Sequence, residues 1–177
     1  KAITPRTKAL LPVHFAGQIA PMEALTALAE EHDLVIIEDA AQAVGARRNT
    51  SPAGSFGQSA CFSLHPLKNL HVFGDGGIIV TDNPEHASDL RKTRNHGLRN
   101  RDECSFWSIN SRLDNIQAAI GLIQLRHLEE WSQRRRALAQ RYNQGLAEMV
   151  ETPRWDSSEE PAFHRYMIRT KHREDLQ

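Results

Sequence analysis

The stretch from Lys8 to Asp39 constrains the fold more than any other part of the chain, because two periodicities alternate in it. Lys8-Ala9-Leu10-Leu11-Pro12-Val13-His14 reads as a short strand, Phe15-Ala16-Gly17-Gln18 breaks it, and Leu34-Val35-Ile36-Ile37-Glu38-Asp39 is a second apolar run. Between them Pro21 suits a first helical turn, and Leu25, Leu28, Ala29 and His32 recur at helical spacing. A strand, a helix and a strand in that order bring the two strands together in parallel, with the helix over one face. The expected class is therefore α/β, a mostly parallel sheet flanked by helices.

The rest of the chain extends this pattern. Gly45 to Gly57 reads as loop, Ser59–Leu64 as a strand, and Gly74-Asp75-Gly76-Gly77 as a turn into Ile78-Ile79-Val80-Thr81. Pro84–Arg94 reads as a helix capped by Asn83 or Asp82, and Asn95–Ser111 as an irregular polar loop exposing Phe106 and Trp107. From Arg112 a helical pattern runs through Leu113, Ile116, Ile120, Ile123, His127 and Trp131. It breaks over Ser132–Arg136 and resumes at Leu138, Tyr142, Leu146 and Met149, so two helices or one bent helix are expected. Thr152–Ala162 reads as a linker and Phe163–Thr170 alternates like a strand. Residues 1–150 are thus expected to form part of a large domain, and 151–177 the beginning of a small C-terminal one. The chain lacks an initiator Met and opens almost directly into a strand, so a segment of a longer protein is expected.

Charge and cysteine content exclude several classes. Lys+Arg and Asp+Glu are both 22, which leaves no basic excess for nucleic acid or an anionic membrane. Arg134-Arg135-Arg136 and Arg94, Arg99 and Arg101 are expected to solvate surfaces. Cys61 and Cys104 make no disulfide framework, Cys61 reads as a small buried hydrophobe, and no Cys or His spacing suits a metal. No apolar run approaches membrane-spanning length and Lys1–Leu11 lacks a signal-peptide core, so a soluble, cytoplasmic protein is expected.

Asp39 closes the second apolar run, and Lys68 follows the third, Ala60–Pro66, 29 residues later (68 − 39). A carboxylate ending one strand and an amine beyond another can hold pyridoxal phosphate. The amine forms a Schiff base with the aldehyde, and the carboxylate keeps the pyridine nitrogen protonated so that the ring accepts electrons. Alone the pair is unspecific: Lys68 can be a solvated loop lysine, and Asp39 can cap the turn after its strand. Ser63, on an otherwise apolar strand, needs a hydrogen-bond partner. Gln42 can be a surface residue, Asn110 can cap the helix after it, and His14 can be a satisfied strand-end histidine. His65 and Arg112 stand near the same motifs.

Taken together, the motifs carry a family resemblance. Pro12-Val13-His14 with Gly17-Gln18, Val35–Ala43, Phe62–Leu70, Gly74–Gly77, Arg94-Asn95-His96-Gly97 and Asn110–Asp114 with Gln117-Ala118-Ala119 follow in order over nearly the whole chain. They resemble the DegT/DnrJ/EryC1/StrS sugar aminotransferases. The resemblance implies a fold-type-I, pyridoxal 5'-phosphate-dependent enzyme that moves an amino group from glutamate or glutamine to a nucleotide-linked keto-sugar. It implies a homodimer with shared active sites, acting in deoxysugar, polysaccharide or antibiotic biosynthesis. Lys68 would be the Schiff-base lysine, Asp39 the partner of the ring nitrogen, Gln42 a neighbour of the ring and Ser63 a phosphate contact. Asn110 would reach the phosphate of the neighbouring subunit's cofactor, and His14, His65 and Arg112 are candidate substrate residues. Lys68 argues against the dehydratases of the same family, where a histidine replaces it; a non-catalytic cofactor-binding or regulatory fragment is the other alternative. The family's Gly-Thr phosphate-binding turn has no counterpart in this sequence, and Leu67 stands where a small hydroxyl residue is common.

Overall fold

The computed structural model describes residues 2–176. Strand β1 (Ala9–Leu10), helix α1 (Met22–Glu31) and strand β2 (Val35–Asp39) form the expected unit, with β1 and β2 parallel. Strands β3 (Arg47–Arg48) and β4 (Ser51–Pro52) make a small hairpin within the predicted loop. Its turn residues Asn49 and Thr50 have φ of 47° and 69°, the left-handed pair that matches strand twist in a two-residue turn. Strand β5 (Ser59–Ser63) pairs in parallel with β2, and β6 (Gly77–Val80) pairs antiparallel with β5. The sheet, in order β1-β2-β5-β6, is therefore mixed. The segment 64–76 carries no crossover helix; it loops back at its own end, Leu64 N–H donating to Gly76 O at 2.8 Å, and that forces the antiparallel return.

Helix α2 (Pro84–Thr93) starts where expected: Asn83 Oδ1 accepts from the amides of Glu85 and His86. Helices α3 (Asn115–Leu125) and α4 (Leu128–Leu146) are separate, but the break falls at Arg126-His127 rather than at Ser132–Arg136. Ser132 lies within α4 and is buried, because it faces Gly45 across the seam. Arg135 and Arg136 do not simply solvate a surface either: Arg135 donates to Phe163 O, and Arg136 pairs with Glu129 and Glu160. The predicted strand 163–170 is absent; Glu159–Glu160 forms β7 instead, antiparallel to β3, and Tyr166 packs against Tyr142. Trp107 is 99% exposed on the loop before α3, which closes on itself through Asn95–Asn110 and Leu98–Cys104 bridges.

The larger core cluster gathers around Met22, Ile36, Ala40, Ala43, Ala46 and Ala53, with Ala162 from the C-terminal segment, and a smaller one around Leu64, Leu70 and Val72. Burying Met22 completely contributes about 2 kcal/mol. Alternation along β2 turns Ile36 and Glu38 into this core and leaves Val35, Ile37 and Asp39 on the opposite, more open face. In β5, Ala60 and Phe62 meet the Gly54 loop on the core side, so Cys61 points the other way. Cys61 is exposed, contrary to the expectation of a buried hydrophobe.

Candidate active site

Asp39 is the last residue of β2, and its backbone is gripped on both sides. Its N–H donates to Pro12 O and its carbonyl accepts from His14 N–H, which extends the β1 side to a Val13–Asp39 bridge. One carboxylate oxygen, Oδ1, accepts from Ala41 N–H at 3.0 Å. Asp39 therefore caps its turn and keeps its other oxygen unbonded among the described residues. Cys61 is its register partner on β5. Partial burial and then the Asp39 charge push the Cys61 thiol above its ordinary 9.0.

Lys68 is delivered by a turn that follows β5. Ser63 Oγ accepts from His65 N–H at 3.3 Å, His65 Nδ1 accepts from Leu67 N–H at 3.1 Å, and Lys68 N–H donates to His65 O at 2.8 Å. His65 thus braces the turn with one ring nitrogen while its side chain stays exposed. Ser63 has spent an acceptor and retains its hydroxyl proton for another group. Lys68 is half-buried and makes no ion pair among the described residues.

Gln42 and His14 are engaged elsewhere. Gln42 Oε1 accepts from Ala16 N–H at 2.7 Å, holding a turn in which Ala16 adopts φ of 57°. Its amide nitrogen makes no bond to described residues. His14 is fully buried; its Nδ1 accepts from Ala20 N–H at 3.2 Å, which leaves the Nε2 proton to bond Glu38 at 2.8 Å. Both ring nitrogens of His14 are thus bonded inside the core. Glu38 also accepts from the amides of Gly54, Phe56 and Gly57 at 2.7–2.8 Å. Burial pushes its carboxyl up, but the His14 bond and the three amides outweigh that and hold it below its ordinary 4.5.

Asn110 and Arg112 are exposed and bonded to each other, Arg112 Nε donating to Asn110 Oδ1 at 3.1 Å. Helix α3 begins only at Asn115, after Asp114, so Asn110 is not its cap. The chain does not bond either residue to Asp39, Ser63 or Lys68. Gly74-Asp75-Gly76-Gly77 is a strand-entry turn, steadied by Gln117, which bonds both the amide and the carbonyl of Phe73.

Two residues near Lys68 carry no clear signal in the sequence. Asn69 is buried and donates to Ala162 O at 2.7 Å, a contact spanning 93 residues. His164 lies near enough to Lys68 to feel its charge: burial lowers the imidazole first, then the positive charges of Lys68, Arg165 and Arg135. The only sequence signal for Asn69 was its position after Lys68, in a run that turns apolar at Leu70. His164 offered none.

The fold is an α/β layer with a mixed sheet, carrying a carboxylate at the end of one strand and an amine on the turn after the next. The model of the DegT/DnrJ/EryC1/StrS aminotransferase family matches residues 1–177, and the chain belongs to that family. It is 48% identical to the dTDP-3-amino-3,4,6-trideoxy-alpha-D-glucose transaminase of Streptomyces venezuelae, over 99% of this chain and 47% of the relative. The crystal structure of S. venezuelae DesV in complex with a ketimine intermediate superposes with a TM-score of 0.95 at 47% identity, covering 98% of this chain and 47% of that one. NtdA from Bacillus subtilis with bound cofactor PMP gives a TM-score of 0.89 at 34% identity, over 99% of this chain and 41% of that one. The chain thus spans about half the length of the curated relatives it matches.

Proposed function

We propose that the protein carrying this chain is a pyridoxal-phosphate-dependent aminotransferase that places an amino group on a nucleotide-linked keto-sugar, taking it from glutamate or glutamine. The observation that carries the proposal is an incompletely bonded carboxylate, Asp39, at the end of β2 together with Lys68, an amine without an acidic partner among the described residues, on the turn after the neighbouring strand β5. The donor set fits the cofactor: an acceptor for a ring N–H, an amine for an aldehyde, and at Ser63 a hydroxyl proton for a phosphate oxygen. The transaminase and PMP named for relatives support the same reading.

When bound, pyridoxal phosphate supplies the electron sink and carries the amino group between donor and acceptor. Asp39 holds a proton at the ring nitrogen by offering its unbonded oxygen, and Ala41 N–H fixes the carboxylate's orientation. Lys68 Nζ takes and returns the proton at the substrate carbon that gains or loses nitrogen. Gln42, anchored through Oε1 by Ala16 N–H, would have its amide nitrogen to offer the cofactor. Asn110, exposed and bonded only to Arg112 by its side chain among the described residues, would reach the phosphate in a second copy, which would make the enzyme a homodimer with shared sites. In the same reading residues 1–150 belong to the cofactor-binding unit and 151–177 open a smaller C-terminal unit sewn onto it by β7. No described helix is long and apolar enough to cross a membrane, and a cytoplasmic location is part of the proposal.

Full-length protein incubated with nucleotide keto-sugars and glutamate or glutamine should yield an amino-sugar by mass spectrometry, and Lys68→Ala should abolish it. Product formation by Lys68→Ala at the wild-type rate overturns the assignment. Mixing Lys68→Ala with Asn110→Ala chains should restore activity, because one site of each mixed dimer receives both intact residues. Verified mixed dimers as inactive as their parents would show that Asn110 serves its own subunit.

A further inference from the structure

Ala162 lies between two turns that border the candidate site. Its N–H donates to Gly17 O at 2.8 Å, and its carbonyl accepts from Asn69 Nδ2 at 2.7 Å. Ala162 itself is fully buried and Asn69 is 6% exposed, so neither bond has water as a ready substitute. The approach at Gly17 is as close as a backbone permits. With φ of +97°, a Cβ there would stand 2.8 Å from Phe163 N, 2.9 Å from His164 N and 3.0 Å from Gln42 O. Arg165 N–H adds a bond to Ala16 O at 3.4 Å.

The turn at Phe15–Gly17 follows directly from the Val13–Asp39 bridge, and Asn69 follows directly from Lys68. A continuous path therefore runs from Asp39 through Val13 and Gly17 to Ala162, and from there through the Asn69 amide to Lys68. We infer that Asn69 is a positioning residue: by clamping the Ala162 peptide it sets the separation between Asp39 and Lys68 and seats His164 beside the lysine. The inference rests on the reading of Lys68 as the cofactor lysine. The lowered imidazole of His164, which responds to the Lys68 charge, agrees with that seating.

Arg135 provides the control. It holds the same segment, Nη1 donating to Phe163 O at 3.2 Å, but among the described residues it has no bond to the Lys68 turn. Asn69→Ala and Arg135→Ala both loosen the segment; only Asn69→Ala frees the lysine turn. The full-length enzyme loaded with pyridoxal phosphate should therefore show two distinct outcomes. In Asn69→Ala, the pH midpoint of the cofactor's visible absorption should move by about one unit, and borohydride trapping on Lys68 should slow about tenfold. In Arg135→Ala the trapping rate should stay at the wild-type value, with a similar loss of thermal stability; the pH midpoint is read in Asn69→Ala alone, because the Arg135 charge also lowers His164. Equal behaviour of the two variants would overturn the inference and assign Asn69 a structural role alone.

Hydrogen exchange in the wild-type protein provides a test that no folding defect can blur. Trapping cofactor on Lys68 should slow exchange at the Ala162 amide about tenfold. The Glu151 amide, bonded to Arg169 O on the same C-terminal segment, should not respond. An unresponsive Ala162 amide sinks the coupling. If borohydride traps no cofactor on wild-type Lys68, the reading of that lysine fails first, and this inference with it.

Discussion

Glu38 and Asp39 are consecutive in β2 and carry the same ionisable group, yet the strand delivers them to opposite faces and opposite fates. Glu38 is buried and receives four donors, from His14, Gly54, Phe56 and Gly57. Asp39 receives one side-chain bond, from Ala41, beside an exposed cysteine. A carboxylate whose oxygens are saturated by its own chain can only hold the fold together. One left partly unsatisfied at a strand end keeps an oxygen for a further donor, and the proposed function assigns chemistry to that one.

The comparison breaks most visibly in activity. Asp39→Asn keeps the shape and the Ala41 bond but loses the charge that, in the proposed function, would hold a proton at the ring nitrogen. Turnover by the full-length enzyme should fall roughly 10²- to 10³-fold with little change in melting temperature. Near-wild-type turnover would reduce Asp39 to a cap.

Glu38→Gln should do the reverse. Its amide presents N–H groups to a pocket built of donors, so unfolding free energy should drop by about 3 kcal/mol. The acid limb of the unfolding curve should change as well. The Glu38 carboxyl is lower in the folded state than its ordinary 4.5, so its contribution is fully present above that value. That contribution is lost as pH falls through the folded pKa, and Glu38→Gln should lack this part of the acid dependence. An unchanged stability in denaturant titration would mean that the four donors do not depend on the charge.

The smallest effect concerns Cys61. Because Asp39 helps to raise its thiol above 9.0, Asp39→Asn should raise the rate of iodoacetamide alkylation at fixed pH by about twofold. A rate that stays constant would show that the carboxylate does not face the sulfur.

Much of this arrangement was legible before the structure. The strand–helix–strand order, the cap at Asn83 and the exposed Trp107 follow from local periodicity and side-chain chemistry, which need only a few neighbouring residues. The hairpin at Arg47–Pro52 reads as loop in the sequence because its two-residue strands are too short to show alternation, and β3 is held by β7 from far along the chain. The helix break was misplaced because Ser132 and the arginines after it look like a solvated interruption, whereas Gly45 and the C-terminal segment bury or pair them.

The sequence by itself determined the strand–helix–strand unit and the order of the longer elements, and it named candidate residues for the site. It could not decide what each polar group would meet. His14 was a candidate for substrate until Glu38 and Ala20 took both of its nitrogens, over separations of 24 and 6 residues. Cys61 read as core because its neighbours are apolar; only the side on which the Gly54 loop packs turned it outward. Asn69 gained its role from a carbonyl 93 residues away. Hydrophobic period is a local property of the chain, but hydrogen-bond satisfaction and burial are properties of packing. The tertiary structure therefore decided which of two adjacent carboxylates was left available.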